Sequence, residues 1–146
     1  MDAAPVWRAL CIYDGKDGRS RLIDLDIPVT HKTTAPDGSA QWVGVAGATR
    51  WGLAGDGSSP GHHAWHNSSH AGLSITLRGR WEIEAGDGTR RALGPGDLLV
   101  MLDTTGQGHR SWKLEDGASM VIGVGLDADA ERDMRARLAA KLTGRG

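Results

Sequence analysis

Gly94-Pro95-Gly96-Asp97-Leu98-Leu99-Val100-Met101-Leu102-Asp103-Thr104-Thr105-Gly106-Gln107-Gly108-His109 is the stretch on which the fold turns. Gly-Pro-Gly-Asp is a tight turn: proline presets one φ, and glycine supplies positive φ without steric cost. Leu98 to Leu102 is then a continuous apolar run of strand length, and Asp103 to Gly108 is too polar and too rich in glycine to continue it. The turn, strand, loop rhythm recurs on both sides. Upstream, Leu73 to Leu77, Arg80 to Glu84 and Arg90 to Leu93 are short strands joined through Gly79 and through Asp87-Gly88, a hairpin signal. Downstream, His109 to Leu114 and Ser119 to Leu126 are strands separated by Glu115-Asp116-Gly117. Turns every eight to twelve residues mark a sandwich or barrel.

The N-terminal half is less regular. Val6 to Tyr13 reads as a strand closed by Asp14 to Gly18, and Arg21 to Ile27 alternates cleanly until Pro28. Thr30 to Ala40 reads as a polar loop. Gln41 to Leu53 is an apolar run broken by Gly44, Gly47 and Gly52, and Ala54 to Gly61 reads as a loop. The C-terminus changes character. Asp127 to Leu142 has Met134, Leu138 and Leu142 at helical spacing, an Asp127 or Asp129 cap, and Arg132, Arg135, Arg137 and Lys141 beside the stripe. The expectation is a β domain over 1–126, with 127–146 forming an amphipathic helix and tail packed on it.

The chain has 146 residues, 39% of them hydrophobic, enough for one core. A net charge of −1 makes no electrostatic case for nucleic acid or an anionic membrane surface. No apolar run approaches the length of a membrane-spanning helix, and no secretory leader is visible, so a cytoplasmic protein is expected. The Asn67-Ser68-Ser69 sequon is accordingly read as chance. Cys11 is the only cysteine; it lies in an apolar run and reads as a buried hydrophobe.

Five of the six histidines fall between His62 and His109, with Trp65 among them: His62, His63, His66, His70 and His109. Imidazole is both a metal ligand and a proton carrier near neutral pH. If 61–66 is extended and Asn67 to Ser69 reverses the chain, His66 and His70 face each other across a hairpin, roughly 5 Å apart at Cβ. The i, i+4 helical alternative lacks the glutamate of a zinc helix and has a poor helix interior. Gly57-Ser58-Ser59-Pro60-Gly61 matches a nucleophile elbow, with Asp103 and His109 following in hydrolase order. Pro60, however, has no N–H to complete an oxyanion hole, so that reading is rejected.

Trp65-His66, Ile75 to Gly79, Gly94 to Asp97 and Asp103 to His109 together resemble a family of small cupins, over roughly Val6 to Leu126. The resemblance implies an all-β, antiparallel double-stranded β-helix (jelly-roll) barrel with the C-terminal α-helix outside it, and a homodimer. It implies that His66 belongs to the first histidine motif and His109 to the second, around a divalent transition metal (Fe, Mn, Ni, Cu or Zn). This chain departs from the pattern at Ala64, where a histidine is expected, and at Gly72, where the acidic ligand is expected. His70 is the replacement expected, giving His66, His70 and His109 as metal ligands. His62, His66 and His109 are the candidate catalytic groups, with His62 able to move a proton. Trp65, Ser74, Thr76 and Ser111 are the candidate substrate contacts; the last three share the parity of the barrel interior. Leu73, Ile75 and Leu77 take the opposite face and are the expected dimer surface. Two functions remain open on this reading: a metal-dependent isomerase, cyclase, lyase or dioxygenase acting on a small organic substrate, or a metal-free protein that binds a small ligand.

Overall fold

A computed structural model describes residues 4–44, 46–56 and 64–144. Among these, the strands are β1 (Val6–Asp14), β2 (Ser20–Pro28), β3 (His31–Thr34), β4 (Ala40–Val43), β5 (Ala48–Asp56), β6 (Gly72–Arg78), β7 (Trp81–Ala85), β8 (Arg90–Leu93), β9 (Leu98–Leu102), β10 (His109–Lys113) and β11 (Ser119–Leu126). One helix, α1 (Ala128–Leu142), follows. A six-stranded sheet in the order β2-β1-β9-β6-β11-β5 faces a three-stranded sheet in the order β10-β7-β8. Two expectations change. The large sheet is mixed, because β1 and β9 run parallel, pairing Leu10 with Leu99 and Tyr13 with Leu102. The segment expected to be a loop over 30–40 contributes a hairpin, β3–β4, turned at Ala35 to Ser39. β3 is exposed at every residue, so no alternation of hydropathy marks it in the sequence.

The six-stranded sheet is buried on both faces where β1 and β9 lie. Towards the small sheet, Leu10, Ile12 and Leu99 pack with Ile83, Ala85 and Leu93. On the other face, Ala9, Cys11, Leu25, Val100 and Leu102 pack under Met134 and Leu138 of α1. The sequence is therefore apolar without alternation over Leu98–Leu102, as a doubly covered strand requires. Helix α1 starts where the side chain of Asp127 accepts a 2.8 Å bond from the Ala130 N–H. Leu142, the third residue of the expected stripe, is 51% exposed at the helix end. No helix among the described residues is long and apolar enough to cross a membrane.

Helix α1 packs mainly on the β2-β1-β9 half of the outer face and also touches β11. Register continues that face across the bare half: Trp51 aligns with Val124 and Leu73, and Leu53 with Ile122 and Ile75. Leu73 reaches the α1 cluster, whereas Trp51 and Leu53 are 72% and 61% exposed.

Burial between sheet and helix pushes the Cys11 thiol up from 9.0 to about 12; Asp103 acts in the same direction and Arg135 opposes. The folded state thus keeps this proton at a pH where the unfolded chain loses it. Its contribution to stability is whole below about pH 9 and declines as pH rises towards 12. Alkylation by iodoacetamide at pH 8.5 should accordingly be negligible for the folded protein and complete in denaturant. Rapid native alkylation would show that this layer opens readily.

Candidate functional site

The loop after β9 is built to hold His109. Asp103 is fully buried. Its Oδ1 accepts a 2.8 Å bond from Ser68 Oγ, and its Oδ2 accepts one of 2.5 Å from His109 Nδ1. An ionised carboxylate in such a place must be satisfied at both oxygens. With Nδ1 turned to Asp103, Nε2 is the ring nitrogen left for other contacts, on a residue that lines the cavity described below. The rest of the loop is pinned from outside. Asp14 Oδ2 accepts from the N–H and hydroxyl of Thr105 at 2.9 and 2.8 Å. Ser20 Oγ donates to the Gly108 carbonyl at 2.6 Å and accepts from the Gly86 N–H at 2.8 Å. Arg135 Nη2 reaches from α1 to Thr104 Oγ1 at 3.2 Å.

His66 meets His109, not His70, across the backbone. Their main chains exchange bonds of 2.9 and 2.7 Å, and their ring centroids are 4.5 Å apart. Residues 67–69 make no hairpin reversal, because the Ser68 N–H bonds the Asp103 carbonyl at 3.0 Å and Asn67 Nδ2 bonds that of Thr104 at 3.4 Å. The segment is thereby laid along the β9–β10 loop. His66 Nδ1 donates to the Ala64 carbonyl at 2.9 Å.

His70 is oriented differently. Its Nε2 accepts a 2.9 Å bond from Arg50 Nη2, and its Nδ1 lies 3.0 Å from Ser69 Oγ. A guanidinium only donates, so this contact occupies the lone pair that a metal would use. Among the described residues no three His, Cys, Asp or Glu side chains come together as a metal site. The His66, His70, His109 triad is thus not assembled: the donor set is two imidazoles, with no donor at Gly72. His62 and His63 lie outside the described residues, as does the motif over 57–61.

The expected substrate contacts divide. Ser74 and Thr76 are buried on the inner face of β6, as their parity requires, but Thr76 Oγ1 accepts from Trp81 Nε1 at 2.8 Å and serves the core. Ser111 is half-buried, in register with Ile83. None of these lines the cavity. Nor does Trp65, which instead stacks on Arg110 at 4.9 Å. Arg110 in turn bonds Glu84 at 2.9 Å and, against the opposing effect of burial, holds that carboxyl below its ordinary range.

The cavity, about 570 Å³, lies between β5, β6, β11 and the loops carrying His66 and His109. Its floor is glycine: Gly52, Gly72, Gly123 and Gly125 fall in adjacent register on the inner face. A Cβ at Gly52 or Gly123 would meet nothing within 4 Å. The space exists because side chains are missing from one face of three neighbouring strands. Met101 supplies apolar wall, and Asn67, Ser68 and Ser69 supply polar rim.

Two sheets face each other, and exposed His66, ahead of β6, meets buried His109, at the start of β10, at the edge of the cavity. The fold is a two-sheet β-barrel with one helix on its outer face. The chain is similar to the crystal structure of protein NMB1881 from Neisseria meningitidis, at 21% identity and a TM-score of 0.41, over 53% of this chain and 72% of that one. It is also similar to a Cupin 2 conserved barrel domain protein from Salinispora arenicola CNS-205, at 25% identity and a TM-score of 0.38, over 60% of this chain and 68% of that one. No family model and no curated protein matches the sequence.

Sequence reasoning missed Arg50, read only as part of a broken apolar run. The signal was the alternation of Arg50, Gly52 and Ala54 on one face of the strand. It noticed Asp103 only as part of a motif and of a rejected triad; a carboxylate six residues before a histidine, across a glycine-rich loop, was the available clue.

Two glycines test the site. Gly88 and Gly108 have φ of +90° and +76°, so alanine is strained at both. A Cβ at Gly88 meets nothing, whereas at Gly108 it would fall on the His66 carbonyl. Gly88→Ala should cost about 1–2 kcal/mol. Gly108→Ala should cost more and should deprotect the His66 and His109 amides in hydrogen exchange. Equal costs and unchanged protection would mean that the bridge does not hold the site.

Proposed function

We propose that this chain is a small cupin-type enzyme that binds a small organic molecule in the glycine-floored cavity and moves a proton with His109. The Asp103–His109 pair carries this reading. Asp103 fixes the imidazole with its proton on Nδ1, leaving a basic Nε2 beside the space that a ligand would occupy. Ser68 bonds the carboxylate rather than the imidazole, so it positions Asp103 and is not a nucleophile. His66, its ring tilted 59° to that of His109, is the second proton-carrying group at the same place. Isomerisation, cyclisation and elimination next to a carbonyl need this kind of proton acceptor.

A metal-dependent version would use the same two imidazoles and take a third donor from outside the described residues. Elemental analysis of untagged protein separates the readings: one transition metal per chain, lost in His109→Ala and kept in His63→Ala, favours the metal.

NMR screening against a library of small acids, ketones and sugars tests the proposal directly. Ligand-induced shifts should cluster at His66, His70, His109 and Gly123. Gly123→Leu, which fills open space, should abolish them. For a compound that is turned over, His109→Gln should lower the rate by about 10²–10⁴ while binding persists. Shifts confined to another surface, or indifferent to Gly123→Leu, would overturn the assignment.

We also infer that a second copy of this chain covers the bare outer face of β6, β11 and β5. Exposed Trp51, Leu53 and Leu77, with half-buried Ile75, Ile122 and Val124, lie on this face, and contiguous exposed apolar residues mark association surfaces. The patch also continues to the edge strand β5, where two copies can meet about a twofold axis. Sedimentation at micromolar concentration should give a dimer and, for Trp51→Glu with Leu53→Glu, a folded monomer. A monomeric parent would refute the interface.

A further inference from the structure

Arg50 lies on the inner face of β5, in register with Gly125 of β11. A Cβ at Gly125 would come within 3.4 Å of both Arg50 Cγ and His70 Cδ2, so the bare glycine makes a shelf on which both side chains rest. The guanidinium is aimed by the 2.9 Å bond to His70 Nε2, while His70 is held through Nδ1 by Ser69. Arg90, Arg91, Arg110 and Arg135 each have a carboxylate partner within the chain. Arg50 has none among the described residues; its neighbour is the His70 imidazole. The cavity wall repeats this imbalance. Its described lining includes Arg50 and three histidines but neither Asp nor Glu. Asp103, bonded to His109, is fully buried and already accepts bonds at both oxygens.

We propose that the ligand of the cavity is a small organic carboxylate and that Arg50 is the residue that binds it. This rests on the cavity being the small-molecule site. A guanidinium presents five N–H donors in a planar fork that matches a carboxylate with two parallel bonds. The contact to His70 uses one edge and leaves the rest for a ligand. An imidazole suits this supporting role, because it orients the cation without neutralising it. An Asp or Glu in the same place would hold Arg50 as firmly and cancel its attraction for an anion. Gly52 and Gly123 keep the floor between Arg50 and the histidine pair clear, so a molecule anchored by its carboxylate can extend towards His109.

The test is titration, followed by NMR at constant ionic strength, with pyruvate and malonate against the neutral pyruvamide and malonamide. The acids should bind at least tenfold more tightly than the amides. Arg50→Gln should weaken acid binding about ten- to a hundredfold, the loss of a charged hydrogen-bonding partner. Arg50→Lys should recover part of it, restoring charge without the fork. Acids and amides that bind alike, or acid binding that survives Arg50→Gln unchanged, would overturn the inference. If amides bind as tightly as acids and Gly123→Leu blocks both, the carboxylate assignment falls while the small-molecule site stands. If neither class perturbs the cavity residues, both fall.

Discussion

Asp103 has no exposed surface, and a buried carboxylate persists only if its charge and lone pairs are answered. Ser68 answers one oxygen and His109 the other, and these two residues come from the segment before β6 and from the start of β10. The requirement to satisfy one ion therefore ties together the two stretches of chain that furnish the cavity with imidazoles. It also determines which nitrogen of His109 carries a proton, the property on which its chemistry depends. Thr105 on Asp14, Gly108 on Ser20 and Thr104 on Arg135 hold the loop from three sides, so the dyad is anchored to β1, β2 and α1 as well as to its own sheet.

Glycine does two different jobs around this anchor. At Gly108 its lack of a side chain lets two backbones approach, since the His66 carbonyl occupies the place of a Cβ. At Gly52 and Gly123 the same lack opens a void, because nothing fills the space that side chains would take. One use makes contact and the other makes room, and the contrast explains why a sheet so rich in glycine still encloses a rigid site.

Much of the barrel was legible from residue patterns. The Leu98–Leu102 run announced a strand covered on both faces, and the strand positions from Leu73 onward agree with the structure to within a residue or two. Strand β3 was not legible, because all four of its residues are exposed and none is apolar. The pairing of His66 with His109 was not legible either. Local spacing suggests that residues four apart oppose each other, whereas the true partner lies 43 positions away and is selected by Asp103 and Gly108. Parity placed Ser74 and Thr76 inside correctly but could not say that Trp81 takes the Thr76 hydroxyl.

The parallel pairing of β1 with β9 has a consequence for how the chain is made. Synthesis delivers the β1–β2 hairpin early, with Leu10, Cys11 and Ile12 among its apolar residues. The strand that completes their sheet, residues 98–102, emerges only after β3 to β8. Contacts of such long sequence separation slow folding and leave the early hairpin with an open edge in the meantime. The β1–β2 hairpin must therefore wait for β9, and until then it is the part of the barrel that most needs shielding.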